Sequence, residues 1–98
     1  MALNFHIDRK KKRNKLHLWL QGDFDGSSAM ELVHELNIIF DWADTIYIHT
    51  QGISLVLPFG REVFLKTRPY YKKACRKLIF TGGWSRWIAP KNTKRVVE

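Results

Sequence analysis

The chain has little cysteine. Its one thiol, Cys75, excludes an internal disulfide, and no finger-like Cys/His spacing accompanies it, so a reducing cytoplasm is the expected setting. Long apolar runs are missing too, and nothing approaches the roughly 20 residues that cross a bilayer as a helix. The opening "MALNFHIDRKKKRNK" puts its charges after a very short apolar stretch, the reverse of a secretory signal. Internal repeats and low-complexity linkers are absent as well. With 98 residues, one small domain is expected over residues 1–90, with 91–98 as a frayed tail.

Positive charge is lacking from one long stretch. Residues 16–59 hold no Lys or Arg but six acids: Asp23, Asp25, Glu31, Glu35, Asp41 and Asp44. Residues 1–15 carry six basic side chains against Asp8, and residues 60–98 carry eleven against two acids. The net charge of +8 therefore conceals a basic, acidic, basic division. Such a division can steer a protein partner or a second copy by complementary potentials. It suits nucleic acid less well than an evenly basic surface would.

What is present is alternation. In "LNFHID", Leu3, Phe5 and Ile7 oppose Asn4, His6 and Asp8. In "KLHLWLQ", Leu16, Leu18 and Leu20 oppose His17, Trp19 and Gln21. Period two with one polar side predicts half-buried strands, and the charged "RKKKRN" between them predicts an exposed hairpin connection. Ala29, Leu32, Val33, Leu36, Ile39 and Phe40 recur at helical spacing; Ser28 with Glu31 fits a capping box, and Asp25 suits the positive helix start. "TIYIHT" predicts a third strand, with Ile46 and Ile48 inward and Tyr47 and His49 outward. "LPFGREVFLKTR" predicts a second helix, entered at Pro58 and closed before Pro69, and "KLIFTGG" a fourth strand. The expected fold class is α/β, in the order β-β-α-β-α-β: a four-stranded mixed sheet with two helices packed on one face.

Several groups invite a chemical reading. Asp23 and Asp25 could form an acid/base pair, but capping and the helix dipole already account for them, and no nucleophile or base stands nearby in the sequence. Strand parity puts His6, His17 and His49 on one sheet face with Trp19 and Tyr47. Three imidazoles can hold zinc; ordinary surface histidines, or an aromatic contact face, are the commoner outcomes. His34, on the polar side of the first helix, carries no functional assignment. The basic run, as Lys10, Lys11, Lys12 and Arg13 with Trp84, could bind nucleic acid, or be a solvated hairpin tip. Trp84 and Trp87 around Arg86 are expected to cap the core, with base stacking or peptide anchoring as the alternative. Cys75 has lysines nearby but no positioned histidine, which makes it a poor nucleophile.

The order of elements, from about Leu3 to Gly82, resembles the STAS family, the anti-sigma-factor antagonist domains. "LQGDFDGSSAMELVHEL" is similar to the family's glycine-acid phrase before its first helix, with Gly22 and Asp25 in fitting places. Against the family's corner, approximately "S-F-I-D-S-S-G-L", this chain sets Ser54, Leu55, Val56, Leu57, Pro58, Phe59, Gly60 and Arg61. Ser54, the apolar pair and Gly60 are kept. Leu57, Pro58 and Phe59 stand where phosphoregulated members have an aspartate and a phosphorylatable serine, so the resemblance implies a module without the phosphoswitch. The family's long last helix is not expected from "GGWSRWIAP".

The resemblance thus implies a non-catalytic regulatory module that binds a protein partner through Pro58, Phe59, Arg61 and Glu62, with Asp25 and Ser27 nearby. Ile38, on the otherwise polar side of the first helix, hints at a further contact. No metal or cofactor is expected, nor any membrane association. Self-association through the open sheet face fits this reading and the nucleic-acid alternative alike. The alternative is nucleic-acid binding by the basic hairpin 9–15.

Overall fold

The computed structural model describes residues 4–96. Leu3, assigned above to the inner side of the first strand, lies outside them. Strand β1 (His6–Lys12) turns back at Arg13 and Asn14 into β2 (Lys15–Phe24). Helix α1 (Gly26–Ile39) leads to β3 (Thr45–Val56), and α2 (Pro58–Lys66) follows at once. A 3-10 turn (Arg68–Tyr71) and the one-turn helix α3 (Lys72–Cys75) lead to β4 (Leu78–Thr81). The one-turn helix α4 (Ser85–Ile88) then precedes β5 (Lys94–Val96).

The sheet has five strands in the order β1-β2-β3-β4-β5, with β1 antiparallel and the rest parallel. Two expectations need correction. The sheet is five-stranded, not four-stranded, and the element order extends beyond β4 through α4 to β5. The added strand lies within the segment expected to fray: Lys94, Arg95 and Val96 pair with Ile79, Phe80 and Thr81. Three residues of mixed polarity carry too little periodicity to reveal a strand, and backbone pairing to β4 supplies the order instead.

The basic hairpin is also tighter than expected. Lys12 pairs with Lys15, leaving only Arg13 and Asn14 in the turn, with Arg13 at φ +58°. Most of the basic run therefore lies in β1, where its side chains alternate between faces.

The core forms where strand and helix periodicities meet. Leu16, Leu18 and Leu20 of β2, Ile46 and Ile48 of β3, and Leu78 and Phe80 of β4 point to one side. Ala29, Leu32, Val33, Leu36 and Ile39 of α1, with Phe64 of α2, cover them. Phe64 is the aromatic centre, 4.6 Å from Tyr71 in a stacked pair and edge-on to Phe24 and Phe80. Lys77 Nζ donates to the carbonyls of Phe40 and Ala43, at 2.7 and 2.9 Å, and so satisfies groups that the end of α1 leaves open. Among the described residues no helix is long and apolar enough to cross a membrane.

Candidate functional site

Two strand-to-helix corners meet at the carboxyl ends of β2 and β3. Phe24 pairs with Val56, and the Leu57 N–H donates to the Phe24 carbonyl at 3.1 Å, so α1 and α2 begin side by side. Gly60 makes this approach possible. A Cβ there would fall 2.3 Å from the Phe24 carbonyl oxygen and 2.8 Å from Asp25 Cα, both rigid backbone. The glycine is therefore a packing requirement of the corner.

The cap of α1 differs from the one the sequence suggests. Asp25 is the N-cap: its carboxylate accepts from the Ser28 N–H at 2.9 Å, and from the Ser28 and Ser27 hydroxyls at 2.9 and 3.0 Å. Ser28 sits one turn into the helix and buried, where its one hydroxyl proton is shared between the Asp25 carboxylate and the Asp23 carbonyl, each 2.9 Å away. The Ser28–Glu31 capping box is thus replaced by an Asp25–Ser28 pair three residues earlier. Hydrogen bonds to the ionised form, led by the Ser28 amide, draw the Asp25 carboxyl down to about 2.

Phe59 is the most exposed large side chain of this corner, 67% accessible. Its ring lies against Gly26 at the start of α1, where a Cβ would come within 2.8 Å of it. On one side a shallow groove runs between the helices, lined by Asp25, Ser27, Met30, Leu57, Phe59 and Val63. On the other, a larger groove of about 740 Å³ is lined by residues that include Pro58, Arg61, Glu62, Lys66, Trp84 and Trp87. The first turn of α2 is the ridge between them, and the six nominated partner-contact residues lie on or beside it. Glu62 forms an i,i+4 ion pair with Lys66, whose hydrogen bond lowers its pKa.

At this ridge the helix is capped by Leu57 without a side-chain hydrogen bond, and Pro58 holds the first helical position. Leu57, Pro58 and Phe59 offer no hydroxyl. The two tryptophans divide. Trp84 is half-buried and its indole N–H donates to the Ile53 carbonyl at 3.0 Å, whereas Trp87 is 53% exposed in the groove. The sequence did not single out this groove, because its walls come from α2 and α4, some twenty residues apart.

The nucleic-acid set named from the sequence is not brought together. The hairpin turn sits at the amino ends of the parallel strands, where the Asn14 carbonyl accepts from the Asp44 N–H; Trp84 follows the carboxyl end of β4. The histidines also separate. His6 pairs with Asp8 at 3.0 Å on the edge strand. His17 and His49 converge on the open sheet face, where His17 Nδ1 is 2.8 Å from His49 Nε2 and His49 Nδ1 is 2.7 Å from Thr81 Oγ1. Because Thr81 gives its proton to Gln51 Oε1, its oxygen accepts from His49. His49 Nε2 is then the acceptor for His17 Nδ1–H, and the chain runs in one direction, His17 to His49 to Thr81 to Gln51. Burial lowers the pKa of both rings, helped at His17 by the charges of Lys15 and Lys12 and at His49 by His17. Among the described residues no group of three or more His, Cys, Asp or Glu is placed to hold a metal ion. Cys75 is buried, with its thiol pKa raised by desolvation.

A mixed sheet with an antiparallel first strand and helices on one face is a fold shared with several solved structures. The anti-sigma factor antagonist SpoIIAA in its unphosphorylated form superposes with a TM-score of 0.54 at 14% identity, covering 79% of this chain and 71% of that one. An anti-sigma factor antagonist from Mycobacterium paratuberculosis gives 0.61 at 12% identity, over 82% of this chain and 69% of that one. An uncharacterized DUF3478-family protein with a SpoIIAA-like fold, from Shewanella loihica PV-4, gives 0.63 at 10% identity, over 100% and 87%. At these identities the likeness is one of fold. No family model matches the sequence, and no curated protein matches it.

Proposed function

We propose that this chain is a non-catalytic, cytoplasmic regulatory module that binds a protein partner across the α2 ridge, in the manner of an anti-sigma-factor antagonist but without a phosphoswitch. The observation that carries the reading is Phe59: a fully apolar ring, 67% exposed, on the ridge between two grooves and next to the Asp25–Ser27 corner. An exposed aromatic flanked by charged Arg61 and Glu62 has the anatomy of an interface anchor within a polar rim. Two solved structures of this fold are described as anti-sigma factor antagonists, which makes a protein partner the natural occupant. Leu57, Pro58 and Phe59 at the helix start support the loss of phosphoregulation, because none can accept a phosphoryl group.

Affinity capture from source-cell lysate tests this, with nuclease added, across a salt series, comparing the wild-type chain with Phe59→Asp. Phe59 contributes almost nothing to the core, so the variant should keep its circular dichroism spectrum. A defined protein retained by the wild type and lost by Phe59→Asp is the expected result. A folded Phe59→Asp chain that keeps every partner would overturn the assignment.

A further inference from the structure

The open face of the sheet carries a second, independent surface. Strand register aligns its side chains in two rows that cross all five strands. One row is Lys10, His17, Tyr47, Ile79 and Lys94; the next is Asp8, Trp19, His49, Thr81 and Val96. Lys12 and Lys15, paired with each other across the hairpin, continue the face toward the turn. The four central rings lie within 20° of parallel, with His17 4.7 Å from Tyr47 and Trp19 5.0 Å from His49. Trp19 remains 38% exposed.

The lysine charge on this face is unanswered: among the described residues none of Lys10, Lys12, Lys15 and Lys94 is in an ion pair. The one acid of the two rows, Asp8, lies 3.0 Å from the His6 ring. Like charges directly opposite each other, as at Lys12 and Lys15, are unfavourable until an anion comes between them. Lys12, Arg13, Asn14, Lys15 and His17 also line a concavity of about 610 Å³, which reaches the aromatic rows at His17. The lysines that end the first row are four strand spacings apart, about 19 Å, the span of a few nucleotides. The acids of α1 lie behind the opposite face, with Glu35 taken by Arg9 at 2.7 Å.

We propose that this face binds single-stranded nucleic acid, with phosphates on the edge lysines and the hairpin concavity, and bases against the exposed part of the ring cluster, led by Trp19. The bases of a duplex are stacked on one another and unavailable to such a platform, whereas those of a single strand are free to pack on aromatic side chains. Lys11 and Trp84, part of the set suggested by the basic run alone, take no part. Lys11 points to the other face, and Trp84 lies at the far end of the sheet.

Fluorescence anisotropy tests the proposal, with labelled oligo-dT and oligo-rU of about twelve nucleotides, and a DNA duplex of the same length, titrated at several salt concentrations. The single strands should bind at least about tenfold tighter than the duplex. A preference between dT and rU reports on the 2′-hydroxyl and the thymine methyl together, and either preference supports the site. Trp19→Ala should weaken binding about fivefold or more, and Trp19→Phe should restore most of it, since each stacked base is worth about 1–3 kcal/mol. Exchanging Lys10, Lys12 and Lys15 together for Gln, all on an exposed strand and turn, should lower the salt slope by about two, at about 0.7 per phosphate contact. Equal affinity for duplex and single strand, or a folded Trp19→Ala chain that binds like wild type, would overturn the proposal. So would a dimer, seen by sedimentation, that Trp19→Ala dissociates while oligonucleotides fail to bind.

Discussion

The two faces of the sheet are built from the same strands by alternate residues, yet they are unlike materials. The covered face is apolar: Leu18, Leu20, Ile46, Ile48 and Phe80 have no solvent exposure, and none of them titrates. The open face carries rings, hydroxyls and lysines, with a directed hydrogen-bond chain from His17 to Gln51. A half-exposed row of Leu or Val would have ordered these strands equally well, so stability does not explain histidine and tryptophan there. The covered face holds the fold together. The open face has freedom to hold something else.

The sharpest way to break this comparison is to damage the covered side. Phe64→Ala removes a ring that touches Phe24, Tyr71 and Phe80, and should cost about 3–5 kcal/mol. In a domain of this size that lowers the thermal midpoint by at least about 12 °C. The Tyr71 hydroxyl, which donates to the Phe64 carbonyl, keeps that bond. Trp19→Ala, across the sheet, should leave the domain folded. Calorimetry on the two variants is the check, and a larger loss at Trp19 would invert the assignment of roles.

A smaller effect is expected at the corner that joins the faces to the ridge. Gly60→Ala inserts a methyl 2.3 Å from the Phe24 carbonyl oxygen. Helix propensity alone would make the change favourable by about 1 kcal/mol. Overpacking against backbone should outweigh it and leave a net loss of up to about 2 kcal/mol, measured by urea unfolding. A gain in stability would mean that α2 can move away from the Asp25 corner, and that the ridge is not rigidly placed.

Much of this was legible in the sequence because period two and period 3.6 are burial patterns. Leu16, Leu18 and Leu20, Ile46 and Ile48, and the α1 stripe from Ala29 to Ile39 all fall where periodicity puts them. The expected end of the third strand at Thr50 shows the limit. β3 runs on to Val56, but register shifts between β2 and β3 move its inward parity from Thr50 to Ile53, so the alternation breaks inside a continuous strand. Gly52, at that irregularity, would bring a Cβ within 2.8 Å of the Leu20 carbonyl. The open-face rings illustrate a second limit. Parity puts His6, His17 and His49 on one side, but only parallel register sets His17 beside Tyr47 and Trp19 beside His49 while leaving His6 at the edge. Register is a property of strand pairs, and no single strand encodes it.

The smallest effect sharpens the comparison by pH. His17 and His49 share one proton between Nδ1 and Nε2, and a second proton in that position would set two N–H groups against each other. Burial disfavours the charged form of both rings, so their folded-state pKa values lie below the ordinary 6.5. Between 6.5 and the folded values the unfolded chain therefore binds more protons than the folded one. Stability from the pair is fully present above about 6.5 and is lost as pH falls through the lowered values. Lys15 and Lys12 face the His17 ring and add to the penalty on its protonated form. Histidine ring signals followed by NMR should titrate below 6.5 for His17 and His49. A chain carrying His17→Asn with His49→Asn should show a flatter fall in stability across that range. Ordinary titration of both rings near 6.5 would mean that solvent reaches them freely, and that the open face is only a wet surface.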